Sequence, residues 1–316
     1  MKVFLNRAPV RNKPWGGGAK FFTAFFDHAP EFGIQPTNKL DNDVEAVLLC
    51  DPRYDELGVS IDEIISFVRM HPGVKIIHRV NECDARKDSK EMDQLLRFCS
   101  KFSDSTVFVS DWIRDYHLSR VWMCNSTCVI VNGVDRETFK PATKLNTGKI
   151  NLVTAHWSDN PLKGQDIVEW LDRFIDRHSD EFTYTFIGRT QANLKNSVLF
   201  SPLFDKALGG ELGKFDVCIN GSRFDPGPNS VIESVSCGLP TYVHVDGGGS
   251  VEFAGVDHVF SSTSELEQLL LNKSFTQNKI GVELTSWKDC IKQYADVLWK
   301  SVSAISCRHT QKTLND

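Results

Sequence analysis

No apolar run in this sequence approaches the 18 or so residues of a membrane-spanning helix, so nothing in it reads as a transmembrane segment. The opening Met1-Lys2-Val3-Phe4-Leu5 is strand-like and lacks the length of a secretory signal. Positive charge is not in excess. The net charge of −5 excludes a global basic field that would recruit nucleic acid. No CxxC pair and no Cys/His metal spacing occurs among the nine cysteines. Odd in number and scattered, with Cys124 and Cys128 closest, they fit reduced core residues of a cytosolic protein. The cluster Gly16-Gly17-Gly18 is neither G-x-G-x-x-G nor a P-loop. No Ser/His/Asp triad stands out, and His78 with Cys83 reads as loop chemistry rather than a nucleophilic pair.

What is present is a chain of 316 residues, 41% hydrophobic and 24% charged, which suits a globular protein of about two domains. Short apolar runs alternate with helical patterns throughout: α/β, with parallel sheets. Val44 to Cys50 is nearly continuous in apolar residues, as a strand buried on both faces requires. Ser60-Ile61-Asp62-Glu63 has capping-box form, and Ile61, Ile64, Ile65 and Val68 follow at helical spacing. The polar stretch 142–149 marks a linker, giving units 1–145 and 146–284. In 285–316, a final helix precedes a polar tail. Its stripe Trp287, Cys290, Ile291, Tyr294 and Leu298 reads as core packing.

The densest signal lies between Phe215 and Glu252. A buried strand, Phe215 to Ile219, ends in the turn cluster Asn220-Gly221-Ser222. After Pro226-Gly227-Pro228 a helix opens, with Asn229 or Ser230 as N-cap. Its amides and dipole form a place for an anion. Asp225 and Glu233 flank that place and are too far apart to act as an i, i+4 pair. They suit different hydroxyls of one extended ligand such as a sugar nucleotide, or, equally, two solvated carboxylates beside a well-capped helix. Two further segments fit a ligand cleft. One is the glycine cluster before a helix, alternatively a plain hinge. The other is the polar run His78 to Lys87 beyond the strand Val74 to Ile77, alternatively a solvated loop.

The Phe215–Glu252 stretch resembles the donor-site signature of retaining glycosyltransferases of family GT4, which have the two-domain GT-B fold. That signature is an acid, seven residues and a Glu, then a small-Gly-x-Pro turn and a GG-x-x-E element. Asp225 stands where the family usually has the first Glu, one methylene shorter; Glu233 matches the second. Cys237-Gly238-Leu239-Pro240 and Gly247 to Glu252 match the rest. Asn132-Gly133-Val134-Asp135, with Phe139 and Pro141, is similar to the family's exit from the first domain.

The resemblance implies two Rossmann-like parallel-sheet domains facing a cleft, with the C-terminal helix crossing back to the first. It assigns His78, Lys163 and Asp225 to catalysis. Gly17, Gly18, Arg189, Gly227, Pro228, Asn229, Ser230 and Glu233 fall to the donor. Arg79, Asn81, Asp84, Arg86 and Lys87 fall to the acceptor side. Where the family has a phosphate-binding Arg this chain has His156 or its neighbourhood, and Arg189 makes up part of that charge. The implied activity is hexosyltransferase-type transfer from a nucleotide sugar to a glycan, lipid-linked or other hydroxyl acceptor. Leaving-group stabilisation drives it, and no metal or further cofactor is expected. The protein is expected in the cytoplasm, with peripheral contact at the inner membrane surface allowed. Two other classes stay open: GT-B folds also host sugar-nucleotide epimerases, and Asp225 with the missing Arg admits a non-catalytic nucleotide-sugar-binding protein.

Overall fold

The structure, a computed structural model, describes residues 1–11, 16–53 and 58–312. Asn12 to Trp15, which lead into the glycine cluster, lie outside the described residues. The first half of the chain forms β1 (Lys2–Leu5), α1 (Gly17–His28), β2 (Gln35–Thr37), β3 (Ala46–Leu49), α2 (Ile61–Met70), β4 (Lys75–Val80), α3 (Met92–Ser100), β5 (Ser105–Phe108), α4 (Asp111–Leu118) and β6 (Thr127–Val129). The second forms β7 (Ile150–His156), α5 (Gln165–His178), β8 (Phe182–Gly188), β9 (Val198–Phe200), α6 (Asp205–Leu212), β10 (Val217–Asn220), α7 (Asn229–Ser236), β11 (Thr241–His244), α8 (Ser250–Ala254), β12 (Val259–Phe260) and α9 (Thr263–Asn272), and α10 (Trp287–Lys312) ends the chain.

Every strand pair is parallel. The first sheet runs β2-β1-β3-β4-β5-β6 and the second β12-β11-β10-β7-β8-β9. The continuous apolar run predicted for β3 is buried at all four strand positions, as helices on both faces demand. Ser60 and Glu63 exchange the two hydrogen bonds of a capping box at the start of α2. Strand order reverses between β1 and β3 in one sheet and between β10 and β7 in the other. At such switch points the loops leaving the carboxyl ends diverge and open a crevice. Both crevices face each other.

Helix α10 returns to the first sheet. Cys290, Ile291, Tyr294 and Leu298 join Val3, Phe21, Phe25 and Ile77 in one core, and the rings of Phe21 and Tyr294 lie 4.8 Å apart. The predicted aromatic stripe is therefore packing. Gly133 makes the crossing possible, because a Cβ there would stand 2.5 Å from the Cα of Trp287.

A second tie joins the halves. Glu252 on α8 reaches across to the start of α4, where its carboxylate accepts from the backbone N–H groups of Asp111 (3.1 Å) and Trp112 (2.5 Å). Those amides have no partner within their own helix. Gly248 and Gly249 bring α8 close enough, since a Cβ on them would lie 3.1 Å from Trp112 and 3.0 Å from Ser110. Burial raises the Glu252 carboxyl above its ordinary 4.5, and the two N–H groups only partly oppose this. Folding then favours the protonated form. Ionisation costs stability as pH rises from 4.5 through the raised value. Glu252→Ala is expected to lose about 1–2 kcal/mol in urea unfolding. The stability of wild type relative to Glu252→Gln should fall as pH rises across that window; equal curves at all pH values would remove the clasp.

Candidate functional site

The loop leaving β7 delivers Lys163. Asn160 accepts from Leu162 N–H at 2.9 Å and closes a short turn over Pro161–Lys163. Gly164, left-handed at φ +84°, then starts α5 while the lysine points into the crevice. On the other side of the switch point the loop leaving β10 delivers Asp225. Its N–H donates to Gly247 O at 3.2 Å, and its carbonyl accepts from Gly249 N–H at 2.9 Å. The glycine triplet thus braces Asp225 from behind, and at Gly248 a Cβ would meet that backbone at 3.0 Å.

Lys163 Nζ forms an ion pair with Asp225 Oδ2, both largely buried. Burial pushes the Asp225 carboxyl up, but the charges of Lys163 and Arg86 outweigh it and hold it below the usual carboxylate range. Burial lowers the Lys163 ammonium, with Asp225 opposing and Arg86 adding repulsion. Arg86 is itself tied to Glu82, which also holds Lys87 at 2.6 Å.

Helix α7 carries Glu233, whose carboxylate pairs with Lys20 from the first turn of α1. Burial raises the Glu233 carboxyl, and Lys20 opposes the rise. The N-cap of α7 is Pro228, with no side-chain cap. The two expected cap residues are engaged elsewhere: Asn229 Oδ1 accepts from Asn132 Nδ2 at 2.8 Å, and Ser230 Oγ accepts from Asn220 Nδ2 at 3.1 Å. Asn132 in turn accepts from Arg79 Nη2 at 2.9 Å, and the Arg79 guanidinium stacks over the Phe21 ring at 4.1 Å. A buried polar chain thus runs from the first core to the tip of α7.

Between the two switch points lies a cavity of about 380 Å³. Of the residues singled out from sequence, Gly17, Gly18, Asn81, Arg86, Lys87, Lys163, Asp225, Gly227, Asn229, Ser230 and Glu233 line it. His78, Arg79, Asp84, Arg189 and Pro228 are not among its lining residues. The strand β4 continues through Val80, so His78 and Arg79 sit inside the sheet rather than in the loop, both fully buried. His78 stacks on Trp122, with ring centroids 6.1 Å apart, and burial pushes it down to about 3. Asp84 accepts from Met92 N–H and Asp93 N–H at the head of α3. Arg189 stands over the Trp157 ring at 4.3 Å. His156, at or near the position where the family has a phosphate-binding Arg, lines the wall but is pushed down to about 4 by burial and the Lys163 charge.

Sequence reasoning missed Lys20, Glu82, Asp51 and Asn132 as wall residues. The available signal was Lys20's place one turn into the helix behind the glycines, on the face that also carries Gly17. Glu82 sat inside the polar run and had no feature marking it. Among the described residues no three His, Cys, Asp or Glu side chains are grouped to hold a metal ion.

Parallel sheets, facing switch points and a returning C-terminal helix define a two-domain GT-B fold. Solved structures agree. HepE of Anabaena, solved in complex with UDP and glucose, superposes with a TM-score of 0.65 at 11% identity, covering 98% of this chain and 99% of that one. Sucrose-phosphate synthase of Thermosynechococcus elongatus gives 0.62 at 10%, covering 99% of both. WaaG, a glycosyltransferase involved in lipopolysaccharide biosynthesis, gives 0.60 at 13%, covering 96% and 98%. No protein-family model matches the chain, and no curated protein matches its sequence. At these identities the likeness is one of fold.

Proposed function

We propose that this chain is a retaining glycosyltransferase of the GT4 type, moving a hexosyl group from a nucleotide sugar to a hydroxyl of a glycan or lipid-linked acceptor. One observation carries the reading. Two acids, Asp225 and Glu233, lie on either side of the α7 tip in one interdomain cavity, each balanced by a cation. The tip offers a positive dipole end for a diphosphate, where the N–H groups of Asn229 and Val231 now donate to Gly227 O and Pro228 O at 3.0 Å each. HepE was solved with UDP-glucose, which supports a nucleotide sugar as donor class.

In this reading Glu233 accepts from ribose hydroxyls and Asp225 holds the sugar. Lys163, with amides at the starts of α7 and α1, neutralises the diphosphate. The acceptor enters beside Asn81, Arg86 and Lys87. The bond from the sugar C1 to the diphosphate oxygen breaks and a bond from C1 to the acceptor oxygen forms on the same face. The acceptor proton leaves with the departing diphosphate. This chain's own cations would carry the charge stabilisation, so the reaction is proposed to run without a divalent ion. His78 makes no contact with substrate in this scheme. The eight described cysteines are free, which fits a reducing compartment, and we place the protein in the cytoplasm. Among the described residues no helix is long and apolar enough to cross a membrane.

Titration against a panel of nucleotide sugars tests the reading. One or more should bind, and Glu233→Ala should weaken that binding about ten-fold with an unchanged circular dichroism spectrum. Unaltered affinity would reject the assignment of Glu233. The pinning of Asp225 by Lys163 favours, as a second reading, a nucleotide-sugar binder that does not turn over. Nucleotide release only when an acceptor glycan is added separates the two.

A further inference from the structure

The loop after β7 brings one fixed cation to the cavity, Lys163, because His156 beside it is neutral above pH about 4. A leaving diphosphate carries more charge than one ammonium balances. The remaining cations in the wall are differently placed. Arg53 is clamped on Asp51, with Nε to its two oxygens at 2.8 and 3.1 Å. Arg86 and Lys87 both bind Glu82 on the acceptor side. Lys20 alone among them is paired with Glu233, the carboxylate that the nucleotide-sugar reading gives to ribose.

Resting on that reading, we propose that Lys20 is the second cation of the diphosphate subsite, exchanging Glu233 Oε1 for phosphate oxygens as the donor binds. The first turns of α1 and α7 face each other there. A Cβ on Gly17 would lie 3.2 Å from Asn229 Nδ2, and both residues line the cavity. Lys20 is three residues beyond Gly17, on a flexible four-carbon stem that holds a point charge and needs no fixed fork geometry. Its ammonium also lies 5.4 Å from the Phe139 ring centre, a contact that holds a cation loosely and lets it turn. The exchange has two effects. Lys20 gains a more strongly charged partner, and Glu233 is released to accept from the ribose hydroxyls. Since α1 belongs to the first sheet and α7 to the second, the same step draws the two domains onto the donor. The site should therefore discriminate nucleoside diphosphates from monophosphates through a residue of the first domain.

Isothermal titration of wild type, Lys20→Gln and Lys20→Arg with UDP, ADP and GDP and their monophosphates tests this. Lys20→Gln is expected to weaken binding of the accepted diphosphate about ten-fold and of its monophosphate much less, with Lys20→Arg restoring most of the difference. In turnover the loss should appear in kcat as well as KM, because the leaving group's charge rises as its bond breaks. Equal loss for di- and monophosphate would reduce Lys20 to a positioning group for Glu233 and overturn the proposal. An unaltered diphosphate affinity would overturn it too. Failure of wild type to bind any of the six nucleotides would instead remove the nucleotide-sugar reading itself, and this inference with it.

Discussion

Lys163→Ala is expected to lower turnover about 10²–10³-fold, the loss that follows removal of one preorganised charge-stabilising group. Its ammonium is the one fixed cation supplied by the β7 loop, and it is held against Asp225 at the mouth of a helix dipole. The donor would still be gripped by Glu233 and the α7 amides, so KM should change less than kcat. Sugar preference should stay the same, and a changed preference with intact kcat would move Lys163 from phosphate to sugar. Stability falls as well. Breaking a buried pair leaves an uncompensated charge, which costs about 3 kcal/mol, although the nearby Arg86 softens the loss here. The pH dependence has a definite sign. Asp225 titrates below its ordinary 3.8 in the folded protein, so its contribution is present above 3.8 and is lost as pH falls through the depressed value. Without Lys163 that loss should begin at higher pH in acid unfolding curves. Removing both partners, Lys163→Ala with Asp225→Ala, should recover stability without recovering turnover.

Gly188→Ala is expected to have the largest effect on folding. Gly188 ends β8 in register with His156 at the end of β7. Its φ of +144° belongs to a region that side chains rarely enter, and a Cβ there would lie 1.7 Å from the His156 carbonyl oxygen. No rotamer relieves a contact with backbone, so the ends of β7 and β8 must separate. The loop that carries His156 and Lys163 would move with them. A loss of about 3 kcal/mol or more in urea unfolding follows from the strain and the displaced strand. Gly210→Ala is the control. That glycine lies in α6 with nothing within 4 Å of its would-be Cβ, so alanine should be neutral or stabilising by about 0.5–1 kcal/mol. A Gly188 variant as stable as the Gly210 variant would contradict the close approach.

The architecture was legible because parallel strands buried on both faces are written as plain apolar runs, as in Ala46–Leu49. The cavity wall built from β10 and α7 was legible because a strand, a turn and a helix start follow one another within one short stretch. Errors came where a period-2 strand runs on into polar sequence. His78 and Arg79 look like loop residues by polarity, yet β4 carries them to Val80 and the core absorbs them, the arginine against Phe21. The cap of α7 was misread for a related reason. Asn229 has the right side chain, but Asn132, 97 residues earlier, takes its oxygen. Lys20 was missed because its partner Glu233 meets it only when α1 and α7 come together across the cavity, whereas Glu82 pairs with Arg86 and Lys87 inside its own polar run, where nothing set it apart. No window along one strand of sequence contains the first pairing.

The return of α10 also bears on how the chain is made. Phe21 and Phe25 emerge from the ribosome well before Ile291, Tyr294 and Leu298, which cover them. The leading half therefore leaves the ribosome with an open apolar flank and cannot finish its own core until α10 has been made. Such a lid-last order exposes the nascent half to aggregation and makes it a natural client for chaperones.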